Sequence, residues 1–180
     1  MWLWLVAAGM PLLGSPAHAD EKTSTGERAE AVARVVHGIL SYTHWPDGRA
    51  SVRMCVLGPT EYADELLANS SQDIGRRRME VLRITSDLAQ EALPACDGLY
   101  LGRVDAQALR ALTAPIKDRP MLTISEDVEL CRIGVMFCLR FDSERAGFEM
   151  NLDSVARSGL KISPKVLYLA GQKSSLRALP

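Results

Sequence analysis

The chain has 180 residues, of which 47% are hydrophobic, and its formal net charge at pH 7 is −1. This length allows one domain with a sizeable apolar core. The near-neutral charge lacks the basic surplus that is typical of nucleic-acid-binding proteins. We therefore predict a single globular domain that does not bind nucleic acid.

The first nineteen residues have the pattern of a secretory signal peptide. An apolar run at residues 2–13 is followed by a small-x-small site at residues 17–19. The order of these two features is typical of an export signal, and a membrane span needs about 20 apolar residues. We predict residues 1–19 as a signal peptide and the mature product as soluble and exported; an uncleaved anchor is the alternative.

A long helix is predicted after a flexible start at residues 20–26. Ser24 and Glu27 fit a capping box at its beginning. Aliphatic residues then recur at helical spacing. They are Val32, Val35, Val36, Ile39 and Leu40. Because the residue before Pro46 disfavours helical geometry, the helix should end near Trp45.

Short apolar strands alternate with helices in the middle of the chain. The predicted strands cover residues 52–57, 77–85, 97–103 and 121–125, and the predicted helices cover residues 61–70 and 105–114. This alternation implies parallel crossovers between strands.

A different pattern follows in "VMFCLRF", residues 135–141. Strict alternation places Val135, Phe137, Leu139 and Phe141 on one face and Met136, Cys138 and Arg140 on the other. The segment "AGFEM" returns as an antiparallel partner. The fold is therefore predicted as a single-domain α/β sandwich with a mixed, mostly parallel central sheet, an antiparallel edge hairpin and helices on both faces.

The closing stretch contains helix-capping residues. Asn151 is predicted to cap a short helix that Gly159 ends, and Ser163 a second one with Pro164 in its first turn. We expect residues 173–180 to be a loose tail.

Catalytic and cofactor motifs are absent from the sequence. After the signal only His37 and His44 remain, and no G-x-S-x-G, H-E-x-x-H or Walker loop occurs. The acidic segment at residues 125–129 fits a solvated loop better than a cation site. We predict no enzyme activity, no metal and no cofactor.

Four cysteines lie in the mature part of the chain: Cys55, Cys96, Cys131 and Cys138. An even number in an oxidising compartment favours disulfides, and four cysteines allow three pairings. The sequence-local choice is Cys55 with Cys96 and Cys131 with Cys138. No C-x-x-C motif supports thioredoxin chemistry. The short bridge is predicted to be a local staple at the entrance to the edge hairpin, easily reached by reductant.

Two further groups are candidates for surface binding. Tyr42 and Trp45 end the first helix, where aromatic residues either cap a core or anchor a partner. His44 and Lys161 are candidates for weak contacts with an anionic small ligand, with solvated charge as the alternative reading.

Several segments together resemble the YfiR family, in order and at similar spacing. They are "GILSYTHWP", "CVLGPTEYAD", "CDGLYLGR", "LTISED", the C-x6-C segment and "NLDSVARSGLKISPKVLYLA". The resemblance covers about residues 27–172. It departs from the family pattern at His44, where the family motif has Arg, and at Ser163, where the family can carry His.

The resemblance implies a periplasmic repressor that binds the sensor portion of an inner-membrane diguanylate cyclase and lowers cyclic di-GMP and biofilm formation. It also implies sequestration by an outer-membrane lipoprotein of the OmpA/Pal type, a homodimer, and repression that depends on oxidation state. The family's two disulfides correspond to Cys55–Cys96 and Cys131–Cys138. Its partner surfaces correspond to Phe137, Glu149 and Val155.

Overall fold

The computed structural model describes residues 17–114, 118–142 and 145–170, with side chains from residue 25 onward apart from residue 142. Most of the predicted signal peptide, and the predicted tail at residues 173–180, lie outside the described residues. The boundaries of the predicted domain therefore stay predictions.

The first helix, α1 (Ala17–Tyr42), carries the apolar face that the sequence predicts. The five aliphatic residues that recur at helical spacing are all buried. The Thr43 hydroxyl donates to the Ile39 carbonyl at 2.7 Å and closes the last turn. The predicted start at Ser24 is wrong, because the helical backbone begins at Ala17 and includes the predicted flexible start. No glycine or proline interrupts residues 17–25, so nothing local stops the helix there.

Nine strands and five further helices follow α1 among the described residues. The strands are β1 (Thr43–His44), β2 (Ser51–Leu57), β3 (Ser71–Ile74), β4 (Arg77–Ile84), β5 (Gly98–Leu101), β6 (Leu122–Ser125), β7 (Phe137–Asp142), β8 (Arg145–Met150) and β9 (Lys161–Ile162). The helices are α2 (Asp64–Ala68), α3 (Ala89–Ala92), α4 (Ala106–Thr113), α5 (Glu129–Arg132) and α6 (Leu152–Arg157), with 3₁₀ turns at Leu93–Ala95 and Pro164–Ala170. The helix predicted over residues 61–70 is shorter than expected.

The main sheet has seven strands in the order β3-β4-β2-β5-β6-β7-β8. Its five central strands are parallel, and the outermost pairs, β3–β4 and β7–β8, are antiparallel. The predicted mixed, mostly parallel α/β fold with an antiparallel edge hairpin is confirmed. A second hairpin, at the opposite edge, was not predicted.

Helices cover both faces of this sheet, and each face has its own apolar layer. The α1 face packs α1, α2 and the C-terminal 3₁₀ helix on residues such as Met54, Tyr100 and Phe137. The opposite face, which we call the cysteine face, packs α3, α4 and α5 on residues such as Leu57 and Leu99. Alternate strand residues point to opposite layers, as a period of two requires.

The alternation predicted for residues 135–141 holds only from Phe137 onward. Val135 packs in the cysteine face and Met136 in the α1 face, the reverse of their predicted sides. The reason is that β7 begins at Phe137, so these two residues belong to the preceding turn.

A second, two-stranded sheet joins β1 to β9 and closes the end of α1. Thr43 lies opposite Ile162, and His44 opposite Lys161. The Ser163 N–H donates to the Tyr42 carbonyl at 2.9 Å and continues the pairing by one residue. This contact fixes the C-terminal 3₁₀ helix against the end of α1.

Candidate interaction surfaces and the disulfide layer

Both disulfides lie in the cysteine face. Cys55 on β2 is joined to Cys96, just before β5, with their Cα atoms 5.9 Å apart. Cys131 on α5 is joined to Cys138 on β7, with their Cα atoms 6.0 Å apart. These are the pairs that the local spacing favours and that the resemblance implies.

The sulfur atoms of both bridges are enclosed. All four cysteines are at most 2% exposed. The expectation that reductant easily reaches the Cys131–Cys138 bridge is therefore wrong, because both of its residues lie inside an apolar layer. A thiol reagent attacks such a bridge only when the structure around it opens locally.

The β7–β8 hairpin presents a charged pair rather than an aromatic anchor. Phe137 is fully buried and contacts Phe148 edge to face, with their ring centroids 5.2 Å apart. The prediction that Phe137 touches a partner directly is wrong for this reason. Glu149 is accessible, and its carboxylate lies 3.4 Å from the guanidinium of Arg140 on the neighbouring strand.

Helix α6 follows the hairpin directly and is fixed to the disulfide layer by its N-cap residue, Asn151. The Asn151 side chain accepts the Ser154 N–H at 2.9 Å, as a helix cap, and donates to the Cys131 carbonyl at 2.7 Å. Val155 on this helix is half-buried against the α1 face, whereas Leu152 is 52% exposed. Glu149, Leu152 and the outer part of Val155 are therefore among the accessible residues of this region.

Trp45 is a core residue rather than a surface anchor. Its side chain is 4% exposed, and its indole N–H donates to the Asp97 carbonyl at 3.2 Å. The guanidinium of Arg77 lies 5.7 Å from the centre of its ring. The proposal of Trp45 as a partner contact is wrong, because the turn at Pro46 directs the indole into the α1 face.

The two small-ligand candidates are direct neighbours in the structure. His44 and Lys161 occupy opposite positions of the β1–β9 sheet, and both side chains are exposed. Residues opposite each other in an antiparallel pair have Cβ atoms about 5 Å apart. A single small anion placed over this pair is therefore within reach of both side chains.

Comparison with known proteins identifies the family. Residues 29–171 match the YfiR/HmsC-like family of protein domains. The chain belongs to the YfiR/HmsC-like family. This family consists of regulatory, non-catalytic domains of the periplasm that act in cyclic di-GMP signalling, and the match supports that role for the chain.

One solved structure shows the same fold. It is a crystal structure of a conserved domain protein from Vibrio cholerae O1 biovar El Tor, with a TM-score of 0.53 and 16% sequence identity. The similarity covers 79% of this chain and 58% of that protein, so the chain spans little more than half of the protein that it matches. At this identity the likeness concerns the fold alone.

Sequence reasoning missed a hydrogen-bond centre at Glu126. Its carboxylate accepts the backbone N–H groups of Glu61 and Tyr62 at 2.7 and 2.9 Å and the Tyr100 hydroxyl at 2.8 Å. Burial, reinforced by the Glu126 carboxylate, raises the pKa of Tyr100 far above its usual range. The acidic segment at residues 125–129 is thus not simply a solvated loop, because Glu126 ties the β6 end to the segment before α2.

His37 also has a structural role. Its Nε2 lies 2.7 Å from the side-chain nitrogen of Gln72 on β3, and burial lowers its pKa. The neutral ring therefore accepts a hydrogen bond from Gln72 and joins α1 to the sheet edge.

The end of the sheet where α/β enzymes usually bind ligands is filled by the chain itself. Strand order reverses between β2 and β5, which is the usual position of a ligand crevice. Here the Gly102 N–H donates to the Leu57 carbonyl and the Arg103 N–H to the Pro59 carbonyl, at 3.0 and 2.8 Å. A Cβ on Gly102 would collide with Pro59, so the two loops leave no crevice between them.

None of the described helices is both long and apolar enough to cross a bilayer. Within the same part of the chain, no three His, Cys, Asp or Glu side chains are grouped as metal ligands would be.

Proposed function

We propose that this protein is a periplasmic repressor that binds the periplasmic domain of an inner-membrane diguanylate cyclase and holds the cyclase inactive. The family match over residues 29–171 carries this proposal. Binding lowers cyclic di-GMP and biofilm formation. An outer-membrane lipoprotein of the OmpA/Pal type sequesters the repressor and releases the cyclase, and the repressor itself is a homodimer.

The surface that best suits the cyclase is the outer side of the β7–β8 hairpin and α6. The described residues there combine an accessible ion pair with an exposed leucine: Arg140 with Glu149, and Leu152 at 52% exposure. Such a mixture of a central apolar side chain and a polar rim is usual for protein interfaces. Val155 contributes the part of its side chain that the α1 face leaves open.

Co-purification of the oxidised protein with the cyclase's periplasmic domain tests the proposal. We expect a complex at micromolar protein and a weaker complex for Glu149→Arg, because the substitution reverses a charge on the proposed surface. Glu30→Arg is the matched control, since Glu30 is an exposed partner of Arg34 on α1 and is not one of the residues of the proposed surface. No complex, or equal weakening by the control, would remove the support for this interface.

A genetic measurement addresses the pathway independently. Deleting the gene should raise cellular cyclic di-GMP, and restoring the unaltered gene should lower it again. An unchanged level after deletion counts directly against repression of a cyclase.

A second candidate function is a periplasmic sensor or carrier of small molecules. The specific observation in its favour is the pairing of His44 with Lys161 on one exposed sheet. Lys161→Gln should then weaken binding of an anion such as inorganic phosphate, whereas Lys165→Gln, on the neighbouring 3₁₀ helix, should not. Equal phosphate binding by all three proteins would exclude this site.

A further inference from the structure

A cavity of about 290 Å³ opens on the cysteine face and shares helix α6 with the proposed cyclase surface, although none of Glu149, Leu152 and Val155 lines it. It lies between α4, α6 and the turn that follows α5, and the beginning of β6 forms part of its wall. Its size is near the lower end of the range for ligand pockets, which is roughly 300–1,000 Å³. Neither His44 nor Lys161 lines it.

The first sign of a ligand is a buried hydroxyl without a partner. Ser154 on α6 is 9% exposed, and its Oγ has no hydrogen-bond partner among the described residues. The position of Ser154 is well defined, because its backbone N–H donates to the side chain of the helix cap Asn151. Most buried polar side-chain atoms in folded proteins are satisfied, so an exception on a cavity wall indicates a missing partner.

The turn opposite Ser154 keeps the space in front of the hydroxyl open. Gly134 has φ = 117°, in the left-handed region that favours glycine. A Cβ at Gly134 would lie 3.9 Å from the Ser154 Oγ, and both residues line the cavity. This turn belongs to the short loop that the Cys131–Cys138 bridge closes, so the bridge holds this wall of the cavity in place when the protein is oxidised.

The lining of the cavity is strongly cationic in a chain whose net charge is −1. It includes Arg110, Arg119 and Arg157 but no aspartate or glutamate. Arg157 pairs with Asp153 outside the lining, whereas no carboxylate of the described residues pairs with Arg110 or Arg119. The remaining wall is largely apolar, with Met121 and Val135 among its residues.

We propose that this cavity binds a small organic anion, a carboxylate or a phosphate monoester carried on an apolar body. The apolar body contacts Met121 and Val135. The anionic head pairs with Arg110 and Arg119. It also accepts a hydrogen bond from the Ser154 hydroxyl, which has no partner among the described residues. Planar guanidinium groups suit carboxylate and phosphate oxygens particularly well.

The test is a titration of the oxidised, ¹⁵N-labelled protein with phenyl phosphate, followed by NMR. We expect saturable, millimolar or tighter binding, with the amide signals of Gly134 and Ser154 shifting most. Benzylamine carries a similar ring with the opposite charge and should not bind.

Variants distinguish a binding role from a structural one. Ser154→Ala and Arg110→Gln should each raise the Kd for phenyl phosphate about tenfold, the usual effect of a lost hydrogen bond to a charged group. Arg132→Gln is the matched control, because Arg132 is exposed on α5 and pairs with Glu129 outside the cavity. Ser154→Ala should also leave the urea midpoint unchanged or raise it, since the hydroxyl it removes is unsatisfied.

The inference is overturned if phenyl phosphate does not bind saturably or if benzylamine binds equally well. It is overturned as well if neither Ser154→Ala nor Arg110→Gln changes the Kd for phenyl phosphate. It is also overturned if the shifts occur at residues 43–44 and 161–162, which would place the anion on the small sheet. Cyclase binding is measured separately by co-purification, so failure here leaves the proposed repressor function to its own test.

Discussion

The two disulfides close loops of very different length, and this difference predicts unequal contributions to stability. Cys55 and Cys96 are 41 residues apart and Cys131 and Cys138 are 7 apart. The loss of unfolded-chain entropy corresponds to about 4 kcal/mol for the long loop and about 2.5 kcal/mol for the short one. Removing the long bridge should therefore cost about 1.5 kcal/mol more.

The appropriate variants are Cys55→Ala/Cys96→Ala and Cys131→Ala/Cys138→Ala. All four cysteines are buried and each variant removes two sulfur atoms, so the cavity contributions to the two losses are comparable. Urea denaturation followed by circular dichroism gives the free energy of unfolding for both variants and for the parent protein. For a chain of this size a difference of 1.5 kcal/mol corresponds to roughly 3–6 °C in Tm.

The m-value provides a second reading of the same reasoning. Opening the long loop lets the unfolded chain expand more, so the m-value should rise more for Cys55→Ala/Cys96→Ala. Equal losses of stability, or a larger loss for the short bridge, would refute the view that loop length governs the contribution of these bridges.

Three further outcomes follow from buried groups. The pKa of Tyr100 is raised above its value in the unfolded chain, so its contribution to stability is complete below a pH of about 10 and is lost as the pH rises further. Tyr100→Phe should therefore reduce the fall of the unfolding free energy at alkaline pH, and an equal fall in both proteins would contradict this. Trp45→Phe removes the hydrogen bond to Asp97 and should lower the free energy of unfolding, measured in urea, by about 1–2 kcal/mol without weakening the cyclase complex. Weaker cyclase binding by the folded variant would show that Trp45 contacts the partner after all. Dithiothreitol should reduce the native protein slowly, and urea below the unfolding transition should accelerate the reaction; immediate reduction without urea would show that the sulfur atoms are accessible.

Elements with a strong hydrophobic period were predictable from the sequence. The aliphatic stripe of α1 and the buried runs of β2 and β5 have the spacing of their secondary structure, and all lie where the pattern predicts. The start of α6 was equally predictable, because the Asn151 side chain caps the helix by accepting an N–H only three residues later in the chain. These features depend only on near neighbours in the chain.

The elements that were missed lack such local signals. Strand β3 is polar apart from Ile74, so it has no hydrophobic alternation to reveal it. It is recognised only through its pairing with β4 across the tight turn at Gly75, whose φ is 63°. Strands β1 and β9 have two residues each and meet only because α1 and the C-terminal segment pack together. The cavity in front of Ser154 likewise depends on segments that are distant in the sequence.

The surface candidates show a related difficulty. Alternation indicates that Phe137 has an apolar neighbourhood, but it does not distinguish the protein's own core from the surface of a partner. The resemblance named Phe137 and Glu149 together, yet the hairpin places one residue under α1 and leaves the other accessible. Only the three-dimensional fold separates these two roles.

The two bridges also differ in what must happen before they form during folding. Cys131 and Cys138 are close in the sequence, so their thiols meet early and often in an unfolded chain. Cys55 and Cys96 come together where β2 and β5 pair, with Cys55 opposite Leu99. The Cys55–Cys96 bridge is therefore expected to form after β2 and β5 have found their register, and its oxidation then joins the two strands covalently in that alignment.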